Sequence, residues 1–166
     1  MTRKHRQLAV VGLTAIWLTG CSYQTDRPFP SNVKTVHVEP FKSRVFRRRI
    51  EMRLTEAVKK RITMDTDYRL ADQSKADTVL FGEILNVKQG TIGHDFVLNQ
   101  PRETQLTLVV SFQWKDLRTG EILVDRPRWL QTFDYSRPVG EREVDALNGV
   151  CDRMAEQIVE ELMSEW

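Results

Sequence analysis

Residues 105–123 (QLTLVVSFQWKDLRTGEIL) decide the fold of this chain. Apolar side chains stand at every second position from 106 to 114 and alternate with mostly polar neighbours, which is the period of a strand with one buried face. Asp116 to Gly120 then predict a turn, and a further strand follows from Glu121 to about Phe133. Pro127 cannot donate a hydrogen bond to a neighbouring strand, so it predicts an edge strand or a bulge.

Two more strands are predicted on the N-terminal side of this hairpin. Val36 and Val38 alternate with polar residues in the stretch 33–41, and the run 78–89 is rich in apolar and β-branched side chains. Gly82 in the second run predicts a bulge or a close contact. The connection 64–75 contains a short candidate strand at 68–70. Residues 90–103 include two glycines and a proline, and they predict a long connecting loop.

Two amphipathic helices are predicted. The first runs from about Arg44 to Thr63 with Ser43 as its cap, and the second from about Glu141 to Met163. Apolar residues recur in each at three- and four-residue steps and line one face. They are Phe46, Ile50, Leu54, Ala57, Val58 and Ile62 in the first helix, and Val144, Leu147, Cys151, Met154, Ile158 and Leu162 in the second. Cys151 is therefore predicted to be a buried helix residue rather than a reactive thiol.

The element order β-α-β-β-β-α predicts an α+β domain. Two helices packed on one face of a four-stranded sheet form the simplest layered arrangement of these elements. The first two strands flank a helical crossover, so they can be parallel, and the sheet is then mixed rather than purely antiparallel. Gly149 in the second helix permits close packing on the sheet, at a cost in helix propensity.

The N-terminal residues 1–20 are typical of a secretory signal peptide. Basic residues precede an uncharged run from Leu8 to Leu18, which is too short for a membrane-spanning helix. The run ends in Leu18-Thr19-Gly20-Cys21, which resembles a bacterial lipobox. That resemblance implies cleavage before Cys21, a diacylglycerol on the Cys21 sulfur and an N-acyl chain on the new amine. An ordinary signal peptide cut nearby, or a buried N-terminal helix, would explain the same apolar run.

Residues 21–32 carry the lipidated N-terminus and a polar tether with two prolines, and a single periplasmic domain follows over 33–166. Ser22 stands after Cys21 where an acidic residue would favour the inner membrane in proteobacterial sorting. We therefore expect a lipid anchor in the outer membrane, with the domain on the periplasmic side. Loss of Arg3, Lys4 and Arg6 with the signal changes the net charge from +2 to −1, so bulk charge does not suggest nucleic-acid binding.

No catalytic or metal-binding constellation stands out, and no enzyme activity is predicted. His37 has no partner at metal-ligand spacing, and loop composition explains the adjacent pair His94-Asp95. The charged feature is the first helix, because nine Lys or Arg residues stand against two Glu between residues 42 and 61. Such a cluster either binds anionic phosphates, as on lipopolysaccharide, or is a solvated helix face. The candidate lipid-binding residues are Arg48, Arg49, Arg53, Lys59 and Lys60, with Lys88 near a strand end.

Several segments together resemble the lipopolysaccharide-assembly lipoprotein family, LptE, in a divergent form. They are the lipobox, the tether, SNVKTVHVEPF (31–41), RRRIEMRLTEAV (47–58), KADTVLFGEI (75–84), VSFQWKDLRTGEIL (110–123) and a C-terminal helix that ends in Trp. The resemblance implies a non-enzymatic protein without a cofactor apart from its acyl chains. It also implies a role in assembling an LptD-like outer-membrane β-barrel translocon and in delivering lipopolysaccharide to the cell surface. The alternative is an accessory periplasmic lipoprotein of a transporter or secretion pore with a similar α+β domain.

Overall fold

The structure is a computed structural model, and it describes residues 33–47, 49–94, 101–136 and 143–164. The predicted signal peptide, Cys21 and the tether lie outside these residues. The described strands are β1 (Thr35–Val38), β2 (Lys42–Ser43), β3 (Arg69–Leu70), β4 (Thr78–His94), β5 (Pro101–Asp116) and β6 (Ile122–Ser136). The described helices are α1 (Ile50–Asp65), between β2 and β3, and α2 (Glu143–Ser164), after β6.

The strands form one mixed sheet in the order β3-β1-β4-β5-β6, and β2 continues β1 along the same edge of β4. β1 and β2 run parallel to β4, with Val36 opposite Thr78 and Ser43 opposite Ile84. β4, β5 and β6 are antiparallel neighbours. The predicted α+β class is therefore confirmed, together with the parallel pairing of the first two predicted strands.

The prediction of four strands was wrong, because the described sheet has six. The two additional strands, β2 and β3, have two residues each. β3 lies at the short strand suggested near Tyr68. The amides of Arg69 and Ala71 donate to carbonyl oxygens just before and within β1, at 3.0 and 3.1 Å. Two residues are too few to show a two-residue period, so β2 was missed, whereas the pairing of β3 with β1 confirms the short strand suggested at 68–70.

The three long strands extend well beyond their predicted ends. The loop predicted over 90–103 was wrong for most of its length, because β4 continues to His94 and β5 begins at Pro101. β6 likewise reaches Ser136. Glycine weakens a strand without preventing pairing when a neighbouring strand supplies the hydrogen-bond partners. The edge-strand prediction at Pro127 is confirmed, since β6 ends the sheet and the β5–β6 register shifts between Arg126 and Trp129.

The first helix begins six residues later than predicted, at Ile50 rather than Arg44. Ser43 does not cap it, because the Ser43 Oγ accepts from the Val45 amide at 3.1 Å and holds a local turn. Arg49 precedes the helix with φ 65°, in the left-handed region that side chains other than Gly rarely adopt. Phe46 is consequently outside the helix and fully exposed, although its spacing predicted a place on the apolar face.

The core lies between the sheet and the two helices. The alternating side chains of β5, from Leu106 to Trp114, are buried together with Ile50 and Leu54 of α1 and with Met154 of α2. Both helices therefore cover the same face of the sheet, and each large apolar side chain buried there contributes about 1.5–3 kcal/mol. Cys151 is 1% exposed, which confirms its predicted place in the core. Val144 was expected in the same stripe and is instead exposed.

The two helices are parallel, and each begins at the same end of the domain. Ion pairs join Arg47 to Glu143 at 2.6 Å and Arg61 to Glu156 at 3.6 Å. The pairs advance together along both sequences, which fixes the common direction. The chain enters the domain at the other end, where Asp77 accepts hydrogen bonds from the amides of Lys34 and Thr35 at 2.9 and 3.0 Å. We call the end where the helices begin the distal end.

Gly82 is a close-contact point, as its place in an apolar strand predicted. A side-chain carbon at this position would lie 2.5 Å from the Ser111 carbonyl oxygen and 2.6 Å from the Phe41 ring. Because Gly82 has no side chain, the Phe41 ring can pack directly over β4 and belong to the core. The Phe41 amide in turn donates to the Thr55 hydroxyl at 3.0 Å, which joins this crossing to α1.

Candidate lipid-binding surface

The described cationic residues are distributed over four places rather than one continuous face. Arg48 lies outside the described residues, and Arg49 occupies the exposed position just before α1. The other four described candidates separate into a groove between the helices, a groove beside β1, and the long strand β4. Lipid binding by these residues therefore stays a prediction. Their positions imply several separate sites rather than one.

The groove between the helices contains Arg53 and Lys60. The guanidinium of Arg53 donates to the side-chain oxygen of Asn148 on α2. Glu56 and Asp152 line the same groove, whose volume is about 310 Å³. Two cations and two anions share this space, so the groove is close to neutral and part of the predicted basic face faces a neighbouring helix.

Lys59 lies on the other side of α1. It lines a groove of about 520 Å³ with Leu70, Asp72 and Lys75, and its ammonium group is 3.5 Å from the carboxylate of Glu56. His37 contributes to the same groove, and its Nδ1 is 2.9 Å from the carbonyl oxygen of Ala71. That contact accounts for His37 as a hydrogen-bonded strand residue, as the lack of a metal-spaced partner predicted.

Lys88 stands apart from both grooves. It is exposed on β4 opposite Thr107, in the part of the strand that extends beyond β1 and β2. The structure therefore brings Arg53 and Lys60 together and separates them from Lys59 and Lys88. The predicted helix began at residue 44 and therefore contained all of these basic residues except Lys88. This separation could not be seen from that prediction.

A second basic surface lies at the distal end, in the segment 42–47 that precedes α1. With Arg49 it lines an open concavity of about 760 Å³. Arg44 donates to the Glu83 carboxylate at 2.7 Å, and this hydrogen bond holds the pKa of Glu83 below its usual range. Phe46 projects from the segment with its whole side chain in solvent. The basic residues of this segment are visible in the sequence as SRVFRRR, but they were predicted to belong to the first helix.

The face of the sheet opposite the helices carries a further groove. It has a volume of about 650 Å³ and is lined by apolar Phe81 and Leu85, with Lys42 and Arg44 on one side and Pro127 on the other. Val109 is buried but does not belong to the main core, which places it on this opposite face with its strand neighbours of the same parity. The sheet therefore presents a partly apolar surface next to the distal basic segment.

The candidates for chemistry in the sequence were a metal site, the thiol of Cys151 and the pair His94-Asp95. Within the described ranges, no group of three His, Cys, Asp or Glu residues could hold a metal ion. Burial raises the pKa of the Cys151 thiol to about 12, so the group is protonated at neutral pH and is a poor nucleophile. His94 ends β4, and its neighbour Asp95 lies outside the described residues.

The site and the fold together define a class: a small α+β domain with exposed basic surfaces. The sequence model of the lipopolysaccharide-assembly family LptE matches residues 33–164. The chain therefore belongs to the LptE family, whose role is lipopolysaccharide assembly at the cell envelope. None of the curated proteins matches the chain in sequence. Among the described residues, neither helix is long and apolar enough to cross a membrane.

Solved structures with the same fold include a lipoprotein. The hypothetical protein CT253 from Chlamydia trachomatis has a TM-score of 0.56 and 12% identity over 80% of this chain and 97% of that one. The uncharacterized lipoprotein B from Nitrosomonas europaea has a TM-score of 0.54 and 11% identity, over 79% and 83%. The PelC dodecamer from Paraburkholderia phytofirmans has a TM-score of 0.53 and 13% identity, over 82% and 94%. At these identities the likeness extends to the fold alone.

Proposed function

We propose that this protein is an outer-membrane lipoprotein that binds and helps assemble an LptD-like β-barrel translocon and assists delivery of lipopolysaccharide to the cell surface. The observation that carries the proposal is the family match, which covers every described residue of the domain. The role is non-enzymatic and needs no cofactor other than the acyl chains on Cys21. Two or three acyl chains satisfy the need for more than one membrane signal in stable anchoring.

The distribution of cations supports contact with lipopolysaccharide at more than one point. Phosphate groups prefer arginine and lysine donors, and Lys88 and Arg49 are exposed on different parts of the domain. The groove with Arg53 and Lys60 contains two carboxylates, so it binds an anion less strongly than its lysine and arginine count suggests. We therefore assign the greater share of lipopolysaccharide binding to Arg49, and to Lys88 on the long strand.

Co-purification tests the partnership with the barrel. The full chain with a C-terminal tag, extracted in a mild detergent, is expected to bring with it one large β-barrel protein in an equimolar complex. Recovery of the chain alone under extraction conditions that keep other outer-membrane complexes intact would contradict the proposal.

Lipopolysaccharide binding is tested separately, on the purified chain. Lys88→Glu combined with Arg49→Glu is expected to lower the affinity for lipopolysaccharide at least tenfold at low salt, and less at high salt because exposed charges are screened. Lys34→Glu combined with Arg69→Glu is the matched control, because it also replaces one lysine and one arginine, and both exposed residues lie where the chain enters the domain. Equal losses in the variant and in the control would show that net charge, and not this surface, governs binding.

The second candidate function is an accessory lipoprotein of a transporter or secretion pore. The observation that favours it is the fold shared with PelC, which forms a dodecamer. Native mass spectrometry separates the two candidates, because a ring of identical subunits without a barrel favours the accessory role. A complex of one chain with one barrel favours the translocon.

A further inference from the structure

The segment 42–47, with Arg49, combines features that are rarely found together on a solvated surface. Phe46 is fully exposed, although it is one of the largest apolar side chains in the chain. Such a side chain gains free energy when it is buried away from water, so its surroundings determine what it can bury against. Basic side chains lie on both sides of Phe46 in the sequence, and those described are Lys42, Arg44, Arg47 and Arg49.

Two of these four side chains form ion pairs within the domain, and the other two do not. Arg44 pairs with Glu83 at 2.7 Å and Arg47 pairs with Glu143 at 2.6 Å. Lys42 and Arg49 are both exposed, and neither forms an ion pair with any residue in the described part of the chain. The ion pairs hold the segment in place on β4 and α2, while Lys42 and Arg49 present their charge to solvent.

Lys42, Phe46 and Arg49 line the same concavity of about 760 Å³, where Glu51 is the one acidic residue among the described lining residues. An exposed aromatic side chain beside free cations and an open concavity matches the chemistry of an anionic lipid surface. The ring enters the boundary between headgroups and acyl chains, and the cations meet the phosphates. We propose that the segment 42–47, with Arg49, is a membrane-contact site that inserts Phe46 into an anionic phospholipid surface.

The geometry of the chain allows this contact and the lipid anchor to reach one membrane. The extended path from Val33 to Ser43 covers at most about 33 Å, whereas the eleven residues 22–32 can span up to about 37 Å. A domain tethered through Cys21 can therefore lay its distal end on the membrane that holds the anchor. The proposal needs the anchor but not the barrel, so it stands apart from the proposed translocon partnership.

Tryptophan quenching in vesicles tests the site on the full acylated chain. Phe46→Trp keeps an aromatic ring at the site, and Met64→Trp is the matched control, because Met64 is exposed in the last turn of α1. Both chains are placed in vesicles of phosphatidylethanolamine and phosphatidylglycerol that contain brominated phospholipid. The emission of the unsubstituted chain is subtracted in each case, since the acylated chain, which begins at Cys21, keeps three Trp residues of its own, Trp114, Trp129 and Trp166.

We expect the tryptophan at position 46 to be quenched by the brominated lipid with emission shifted to the blue, and the one at position 64 to stay in water. Lys42→Gln with Arg49→Gln in the Phe46→Trp chain is expected to reduce the lipid-contacting fraction about 25-fold in these vesicles, which corresponds to about 1 kcal/mol for each charge. Equal quenching at positions 46 and 64 overturns the proposal. So does quenching at 46 that the charge changes leave unaltered, or that appears only after lipopolysaccharide is added.

Discussion

The guanidinium of Arg126 on β6 donates two hydrogen bonds to one carboxylate oxygen of Glu161 on α2, at 2.9 and 2.6 Å. Both side chains are partly buried, with exposed fractions of 28% and 18%. The same guanidinium lies 5.8 Å from the centre of the Trp129 ring. The contact joins the edge strand of the sheet to the last helix at the place where Pro127 interrupts the β5–β6 register.

The ion pair between Arg126 and Glu161 is expected to contribute to the stability of the domain. Arg126→Ala leaves a partly buried Glu161 carboxylate without its ion-pair partner, at a cost of about 2 kcal/mol, between the values for surface and for fully buried pairs. Arg126→Ala with Glu161→Ala is expected to cost less than the sum of the two single changes. Urea unfolding of the four chains of this cycle measures the coupling, and additive losses would show that the pair contributes nothing.

Gly149→Ala is expected to destabilise the domain even though alanine is the better helix former. A side-chain carbon at this position would lie 2.5 Å from the Phe133 ring, closer than real contacts allow. The helix gains up to about 1 kcal/mol in propensity, but overpacking costs about 1–3 kcal/mol, so we expect a net loss of about 1 kcal/mol or more.

Thermal unfolding measures this effect, with Gly90→Ala as the control. A side-chain carbon at Gly90 meets no atom within 4 Å, so that substitution is expected to be close to neutral. Phe133→Leu added to Gly149→Ala is expected to recover part of the loss. A Gly149→Ala chain that is more stable than the parent would show that the helix does not pack as closely on β6 as the structure has it.

Asp77 is expected to make part of the stability depend on pH. The amide of Lys34, the hydroxyl of Thr35 at 2.9 Å and the amide of Thr35 all donate to this carboxylate, and they lower the pKa of Asp77 below its model-compound value of 3.8. A lowered folded-state pKa adds stability that is present above the unfolded-state pKa and is lost as pH falls through the folded-state pKa.

Asp77→Asn is therefore expected to reduce the free energy of unfolding by about 1–3 kcal/mol at pH 7, and by less below pH 4. Urea unfolding between pH 3 and 7 measures this difference. Asp67→Asn replaces an exposed carboxylate and is the control for general charge effects. A destabilisation at Asp77 that is constant over this range would show that hydrogen-bond geometry, and not the carboxylate charge, matters there.

Cys151 is expected to resist thiol reagents while the domain is folded. Burial keeps its pKa near 12 and leaves its side chain 1% exposed, so both the thiolate fraction and access are low. In a Cys21→Ala chain, a disulfide reagent at pH 8 should modify Cys151 at least a hundredfold more slowly than in urea. Rapid modification without denaturant would show that α2 leaves the sheet readily.

Cys21→Ala is expected to leave the domain folded but unable to reach its membrane partner, because the acyl chains on Cys21 supply the anchor. Fractionation of cells and recovery of the partner complex measure this outcome. Arg53→Gln serves as a control that keeps the anchor and changes only the domain surface. Normal assembly of the complex by the Cys21→Ala chain would show that the domain surface alone directs the protein to its partner.

The side-chain periods of the long elements could be predicted from the sequence. Leu106 to Trp114 alternate, and the apolar steps around Cys151 repeat at three and four residues, because one face of each element is buried. The family was likewise evident from sequence segments, and the family match confirms it. Lipidation of Cys21 and lipid binding by the cationic residues remain predictions.

Features that depend on backbone pairing and on neighbouring elements could not be predicted in this way. The short strand β2 has two residues, and the paired ends of β4 and β5 contain glycine or proline, so no side-chain period marks them. The start of α1 was missed because Phe46 fits a helical period as well as Ile50 does, and only the turn at Ser43 and the left-handed backbone at Arg49 separate them.

By itself, the sequence determined the class of the fold and the buried faces, because these follow from the spacing of apolar and polar side chains along one chain. The family followed from the resemblance of several sequence segments, and the family match confirmed it. The tertiary structure decided where each charge is placed. It set Arg53 against Asn148 and Arg47 against Glu143, and it left Phe46 in solvent. Such placements depend on residues about a hundred positions apart, and a local period contains no information about partners at that distance.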